Sequence, residues 1–219
     1  MFSSSRGGHT DLYRKPANGT GAEELLYGGE GERYPVSWSP DGKILLSPAG
    51  LAPSGDLWVL PLTQEHPGEA LKAQGFLQTE FGESFGQFSP DGRWVAYESA
   101  ASGQAEIYVV PFSRPSEKHQ ISPSGGARPR WRKDGKEIFF VSPNASTFST
   151  LMAAEIRITG DSVEVGSVRK LFSGIPASGG YLYDVSADGQ RILVAVPVSS
   201  QKPPEPITLV QNWPAALKN

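Results

Sequence analysis

Short apolar runs recur along the chain, and each is bounded by Gly, Pro, Asp or Ser. Four of them are rich in β-branched, aromatic and other apolar residues and begin two or three residues after the Gly of an Asp-Gly pair: residues 44–46, 94–97, 138–141 and 192–195. Such runs, with turn residues at both ends, predict β-strands. The best helix candidate, residues 65–74, contains Pro67 and Gly68 and is a poor helix former. The pattern therefore predicts an all-β protein.

One local signal repeats four times: an apolar residue, two spacers, Asp-Gly and a polar residue. It lies at residues 38–43, 88–93, 131–136 and 185–190, so that the glycines are 50, 43 and 54 residues apart. Asp-Gly favours a hairpin turn, because Gly readily takes the positive φ that closes it. The predicted structural turn residues are Asp41, Gly42, Asp91, Gly92, Asp134, Gly135, Asp188 and Gly189.

A third strand is predicted after each hairpin, at residues 56–62, 106–112, 151–156 and 207–210, with a fifth copy at residues 11–14. Repeats of this length are typical of four-stranded β-propeller blades. We therefore predict a β-propeller of four-stranded antiparallel blades, with about four to five blades present as part of a larger ring of six or more. The whole chain, 1–219, is one partial propeller: an incomplete blade of outer strands at 9–29, blades at 30–77, 78–124 and 125–176, a last blade at 177–213 and a tail at 214–219.

Composition and charge narrow the function classes. The 219 residues include 25 Gly and 19 Pro but no Cys, which excludes disulfides and thiolate metal sites. A formal net charge of −3 provides no broad positive surface, so we predict no nucleic-acid partner. No apolar run approaches the roughly 18 residues of a membrane helix, so we predict no membrane insertion by this chain.

Three sequence patterns suggest catalysis or metal binding, and each lacks the neighbouring structure or residue spacing that such a site needs. Residues 82–86 match Gly-x-Ser-x-Gly, but a predicted strand and hairpin follow where a nucleophile elbow needs a helix. The three histidines, His9, His66 and His119, lack metal-ligand spacing. The four turn aspartates lie in equivalent positions around the ring, too far apart to converge. We therefore predict no enzymatic activity, no metal site and no cofactor for this chain.

The repeat, an aromatic-Ser-Pro-Asp-Gly-Lys/Arg hairpin followed by Asp/Glu-Ile/Leu-Tyr/Trp-Val, resembles the TolB-type, WD40-like β-propeller repeat. Residues 129–135, 170–172, 183–191 and 212–218 are also similar to the end of propellers attached C-terminally to bacterial receptor-type serine/threonine kinases. That resemblance implies a non-catalytic sensor or interaction module, with the kinase upstream, in an extracytoplasmic location; a cytoplasmic location is the alternative. Kinase motifs themselves are absent. The alternative function is the gating propeller of a prolyl-oligopeptidase-type hydrolase.

A ligand site is expected at one mouth of the channel, where each blade's outer strand connects to the inner strand of the next. The partner is expected to be a protein, a peptide or a small polar molecule. A second expectation is self-association through the exposed ends of the blade arc, because each blade buries apolar side chains against both neighbours. The connections place seven residues on the predicted rim: Glu32, Arg33, Tyr34, Glu83, Phe85, Arg128 and Tyr181.

Overall fold

The computed structural model describes residues 1–8, 10–28, 33–48, 55–63, 70–142, 148–176 and 181–196. Within these ranges all regular structure is β-strand, and no helix is long and apolar enough to cross a membrane. Seventeen strands follow in chain order: β1 (Phe2–Ser4), β2 (Asp11–Arg14), β3 (Glu24–Tyr27), β4 (Tyr34–Trp38), β5 (Lys43–Ser47), β6 (Leu57–Pro61), β7 (Gln74–Leu77), β8 (Glu83–Phe88), β9 (Trp94–Ser99), β10 (Glu106–Pro111), β11 (His119–Gln120), β12 (Ala127–Trp131), β13 (Glu137–Ser142), β14 (Phe148–Thr159), β15 (Ser162–Pro176), β16 (Tyr183–Val185) and β17 (Ile192–Val194).

These strands form successive antiparallel sheets in which neighbours in sequence are neighbours in space. Three sheets have four strands, in the orders β4-β5-β6-β7, β8-β9-β10-β11 and β12-β13-β14-β15. The first sheet has the order β1-β2-β3, and the described part of the last sheet is the β16-β17 pair. The predicted all-β class with four-stranded antiparallel blades is confirmed.

Two strands differ in position from the sequence expectation, and β14 (Phe148–Thr159) extends well beyond the predicted strand at 151–156. The first sheet contains β1, which precedes the predicted incomplete blade at 9–29 and pairs with β2 through Ser3 and Leu12. In the next blade a weak outer-strand signal at residues 70–73 predicts the fourth strand there, but the outer strand β7 begins directly after that stretch, at Gln74. Leu71 and Ala73 of that stretch pack against the core without pairing, whereas Leu77 is buried opposite Leu57. The predicted last strand at 207–210 lies outside the described residues.

The Asp-Gly pairs occupy the four hairpin turns that join each inner strand to the second strand of its blade. All four glycines have positive φ, between 71° and 86°. In the turn at Asp91 the Ser89 hydroxyl donates to the carboxylate at 2.5 Å and accepts from the Trp94 N–H at 3.0 Å. These hydrogen bonds explain why three of the four turns carry Ser two residues before Asp; the turn at Asp134 has Arg132 there, whose guanidinium donates to the carboxylate at 2.7 Å.

The core lies between the sheets as a series of apolar layers, one at each junction of neighbouring blades. The aromatic residues at the ends of the inner strands β8 and β12 face the preceding blade, whereas Trp38 at the end of β4 is 54% exposed. Phe88 packs with Leu45 and Leu57, and Trp131 packs with Trp94 and Ile107. The β8 and β12 blades therefore depend on their predecessors to bury these side chains.

Candidate functional site

The inner strands β4, β8 and β12 share an irregular backbone near their starts. Each has a register shift against the next strand, between Pro35 and Ser37 in β4 and at the corresponding places in β8 and β12. In β8 and β12 the bulge contains a non-glycine residue in the left-handed region, Phe85 (φ 51°) and Arg128 (φ 56°). Such a conformation costs about 1–2 kcal/mol per residue, so neighbouring contacts must hold it.

The holding contacts come from the preceding blade. Phe85 and Arg128 occupy the same position of the repeat, six residues before the turn aspartate. The Phe85 N–H donates to Ser47 Oγ at 2.9 Å, and the Arg128 N–H donates to Glu98 Oε2 at 3.1 Å. Both acceptors lie at or near the end of the second strand of the preceding blade. The junctions between blades therefore fix the direction of both side chains.

Four residues from three blades form one contact group, which we call the mouth cluster: Phe85, Arg128, Arg130 and Tyr181. The Arg128 Cζ lies 5.5 Å from the Phe85 ring centroid, and the Arg130 Cζ lies 3.5 Å from that of Tyr181. The Phe85 and Tyr181 rings meet edge to face at 5.3 Å. Tyr181 Oη donates to the Phe85 carbonyl at 2.8 Å. The cluster thus combines aromatic faces with two guanidinium groups.

Two residues of β16, Tyr183 and Asp184, contact residues of the mouth cluster and its neighbouring strand. Tyr183 is buried, and its hydroxyl lies 2.6 Å from the Arg128 carbonyl and 3.1 Å from the Phe139 carbonyl. Asp184 lies 3.8 Å from Arg130 Nε. Burial raises the pKa of both Tyr181 and Tyr183 well above the usual tyrosine value. Both phenols therefore stay protonated and act as hydrogen-bond donors.

The buried carboxyl group of Glu98 contacts the mouth cluster directly, because it accepts a hydrogen bond from the Arg128 backbone N–H. It is only 5% exposed. Burial raises the pKa of Glu98 to about 7, and the hydrogen bond and positive charge of Arg128 only partly oppose this. The charge of this carboxyl group therefore changes near neutral pH.

A cavity of about 480 Å³ opens beside the mouth cluster. Its volume falls in the range of small-ligand sites. Its walls are largely aromatic and aliphatic. They come from the N-terminus and β1, from β4, from the residue after β5 and from the cluster: Met1, Phe2, Ser3, Tyr34, Pro35, Val36, Pro48, Phe85 and Tyr181. The cavity is thus suited to apolar or aromatic groups. Arg128 and Arg130 do not line it, but they contact the rings of its lining residues Phe85 and Tyr181.

The structure brings some of the predicted rim residues together and separates others. Phe85, Arg128 and Tyr181 are in the mouth cluster, and Tyr34 lines the adjoining cavity. Arg33 instead lies over the Trp58 ring, with its Cζ 4.1 Å from the centroid. Glu83 is buried within its own blade, where its carboxylate accepts from Thr79 Oγ1 at 2.6 Å. Glu32 lies outside the described residues.

A larger cleft of about 900 Å³ lies at the opposite ends of the inner strands, between the turns at Asp91 and Asp134 and the β14-β15 hairpin. Several of its charges are already paired with one another. Arg132 bonds Asp134 at 2.7 Å and Glu137 at 2.6 Å, and Arg157 bonds Glu164 at 3.4 Å. We therefore regard the mouth cluster and its cavity as the stronger candidate.

The catalytic patterns of the sequence do not assemble into a site in the described part of the chain. Ser84 of the Gly-x-Ser-x-Gly match lies on strand β8, and its buried Oγ has no hydrogen-bond partner there. No helix follows it, and the next element is the turn at Asp91. Among the described residues no three His, Cys, Asp or Glu side chains group as metal ligands. His9 and His66 lie outside those residues.

Comparison with known proteins identifies the fold. No family model matches the chain. An uncharacterized protein of Agrobacterium fabrum is 31% identical over 86 residues, which are 39% of this chain and 29% of that protein. The structure superposes on a protein described as TolB from Agrobacterium tumefaciens with a TM-score of 0.62 and 22% identity, covering 90% of this chain and 70% of that one.

Two further solved structures are similar. TolB from Acinetobacter baumannii gives a TM-score of 0.62 at 19% identity, covering 87% of this chain and 44% of the other. A protein described as a 6-phosphogluconolactonase from Bacteroides uniformis gives 0.53 at 13% identity, covering 88% and 59%. The chain therefore spans less than a third of its curated relative and less than half of the second TolB. Its blades have the TolB-type β-propeller fold.

Proposed function

We propose that this chain is a non-catalytic interaction module that binds a protein segment, a peptide or a small polar ligand at the mouth cluster. The observation that carries the proposal is the convergence of Phe85, Arg128 and Tyr181 from three blades beside a cavity of about 480 Å³. Aromatic and Arg side chains at a concave opening are the groups most enriched at binding hot spots.

Backbone strain supports the same site. Phe85 and Arg128 hold left-handed conformations that a glycine would adopt without strain, yet both positions carry large side chains. Strained residues of this kind concentrate at ligand-binding and active sites. In this chain the strain directs an aromatic ring and a guanidinium group toward each other at the mouth.

Two finer parts of the proposal rest on the resemblance of the repeats alone. One is that the chain is the C-terminal region of a larger bacterial serine/threonine kinase or a TolB-like scaffold. The other is an extracytoplasmic location.

The test begins with selection of peptides from a random phage-displayed library on the immobilised chain. Enriched peptides are then titrated calorimetrically into the wild-type chain and the Arg128→Glu variant. Arg157→Glu is the matched control, because that side chain is 79% exposed on β14 and distant from the cavity walls. We expect binding at least about tenfold weaker for Arg128→Glu, which corresponds to about 1.4 kcal/mol, and unchanged for the control. Equal affinities for all three proteins would refute the proposed site.

A further inference from the structure

The backbone contact that holds Arg128 differs in chemistry from the one that holds Phe85. Both residues are left-handed at the same repeat position, and both N–H groups donate to a side chain of the preceding blade. The acceptor for Phe85 is the Ser47 hydroxyl, whereas the acceptor for Arg128 is the Glu98 carboxyl group. A hydroxyl does not titrate near neutral pH, and a buried carboxyl group can. The two junctions therefore respond differently to pH.

The acceptors occupy one equivalent place on the second strands of the four-stranded blades. This place lies opposite the inner-strand residue that comes seven positions before the turn aspartate. In chain order its occupants are Ser47, Glu98 and Val141. Of these three side chains only that of Glu98 can gain or lose a proton near neutral pH. The titratable acceptor is therefore a property of the junction at Arg128 and not of the repeat.

Groups from several elements surround the Glu98 carboxyl group. Ser84 of β8 and Ile107 of β10 lie opposite Glu98 in the sheet, and Arg128 approaches from β12. The charged or titratable groups that act on it in the described part of the chain are the Arg128 guanidinium and the Tyr181 phenol. Burial has the largest effect and raises the pKa of Glu98 to about 7. Because Tyr181 stays protonated in this range, Glu98 is the group that changes charge here.

A histidine could also titrate between pH 5 and 8. Among the described residues the one histidine is His119, whose ring lies 6.2 Å from that of Trp94, centroid to centroid, at the start of β9. Glu98 lies four residues further along that strand, about 13 Å away. Titration of His119 is therefore separable from that of Glu98 by substitution.

The charge of Glu98 decides how firmly the Arg128 backbone is held. An ionised carboxylate accepts an N–H roughly twice as strongly as a neutral group does. A protonated carboxyl group accepts more weakly and gains a donor of its own. The Ser84 Oγ across the ladder is buried and has no hydrogen-bond partner among the described residues, so it is available to accept from that donor. Protonation therefore weakens the contact that offsets the left-handed strain at Arg128.

We infer that Glu98 is a pH-dependent latch for the mouth cluster: its ionised carboxylate holds Arg128 in the left-handed conformation that directs the guanidinium group to Phe85, and protonation releases it. The inference rests on the proposed function and adds the regulation of its site. Above neutral pH the cluster is assembled, and below neutral pH a fraction of the chains has released Arg128. A ligand that needs Arg128 in place then binds with an apparent affinity reduced by the fraction of competent chains.

The first measurement needs no ligand. Backbone amide signals of the isotope-labelled full chain are followed by NMR from pH 5 to pH 8, together with the carboxyl carbon signal of Glu98. We expect the Arg128 amide proton to move downfield as pH rises, with the same midpoint as the Glu98 carboxyl signal. The Phe85 amide, held by Ser47, is expected to stay nearly unchanged. Glu98→Gln is expected to abolish the Arg128 shift, and His119→Phe to keep it.

The second measurement is the affinity of library-selected peptides at pH 5.5 and pH 8, determined by calorimetry. The peptides contain no histidine and have an acetylated amino terminus, so that they do not titrate in this range. Glu164→Gln is the matched control, because it makes the same substitution at a carboxylate that is 67% exposed on β15. We expect wild type and control to bind about three- to tenfold more tightly at pH 8. Glu98→Gln is expected to keep the weaker affinity at both pH values.

The amide titration alone decides whether the latch exists. An Arg128 amide that does not share the midpoint of Glu98 overturns it, as do equal shifts at Phe85 and Arg128. The wild-type chain is sufficient for this decision, so the result does not depend on the folding of Glu98→Gln.

The two measurements together separate this inference from the proposed function. If the selected peptides require Arg128 but bind wild type equally well at both pH values, the mouth cluster remains the binding site and the latch is wrong. If the Arg128 amide titrates with Glu98 while the peptides bind Arg128→Glu normally, the latch holds and the proposed role of the mouth cluster in binding is wrong.

Discussion

The two tryptophans at one repeat position allow a matched test of how the blades are stabilised. Trp131 is 6% exposed and packs against the preceding blade, whereas Trp38 is 54% exposed. A buried aromatic side chain covers about 150–250 Å². At about 25 cal/mol per Å², with cavity formation included, Trp131→Ala is expected to lower the free energy of unfolding by about 3–5 kcal/mol. Trp38→Ala removes less than half as much buried area and is expected to lower it by about 2 kcal/mol or less.

The assay is equilibrium unfolding in urea, followed by circular dichroism so that the loss of a fluorophore does not affect the signal. The two variants change the same residue type at the same repeat position, so each is the control for the other. A loss for Trp38→Ala as large as that for Trp131→Ala would refute the reasoning, because it would mean that Trp38 is covered in solution. A small loss for both would instead show that the layer between the β8 and β12 blades contributes little to stability.

Three further predictions concern the site and its supports. The pKa of about 7 for Glu98 lies above its unfolded value, so the folded state holds the proton more tightly and the free energy of unfolding of the wild type falls as pH rises from about 4.5 to 7. Urea unfolding is expected to show a free energy of unfolding up to about 3 kcal/mol lower at pH 8 than at pH 5, and Glu98→Gln is expected to lack this difference. Identical pH profiles for the two proteins would contradict this. Gly86→Ala places a Cβ 2.4 Å from Leu45 Cδ2. Because this crowds a packed core, the free energy of unfolding is expected to fall by about 1–3 kcal/mol. An unchanged melting curve would disprove this prediction. Arg128→Gly relieves the left-handed backbone strain and removes the guanidinium group. The free energy of unfolding is therefore expected to stay within about 1 kcal/mol of the wild-type value, while the affinity for library-selected peptides falls. Unchanged affinity would count against the mouth cluster as the binding site.

The blades were predictable from sequence because their signals are local. The Asp-Gly turns carry their own hydrogen bonds, as Ser89 and Asp91 show, and the strand that follows each turn is strongly apolar. β1 was not predicted, because three residues of sequence Phe-Ser-Ser provide no alternation and no turn signal. Its pairing depends on β2, which lies seven residues beyond its end.

The site was predictable only in part. The position of a connection between blades was enough to nominate Phe85, Arg128 and Tyr181. Sequence alone did not nominate Arg130 and Glu98, because their contacts with the site depend on which blades are neighbours and on how deeply each side chain is buried. No sequence signal marks a positive φ at a residue other than glycine, so the strained backbone at Arg128 appeared only in the structure. The exposure of Trp38, at a repeat position where Phe88 and Trp131 are buried, likewise appeared only in the structure.

Site-specific photo-crosslinking tests the central claim, binding at the mouth cluster, most directly. A benzophenone amino acid replaces Tyr34, which lines the cavity, or Arg157, which lies on β14 beside the opposite cleft. A library-selected peptide is added, and crosslinked products are mapped by mass spectrometry. We expect efficient crosslinking to the peptide from position 34, competed by unlabelled peptide, and little from position 157. Crosslinking from position 157 with none from position 34 would contradict it.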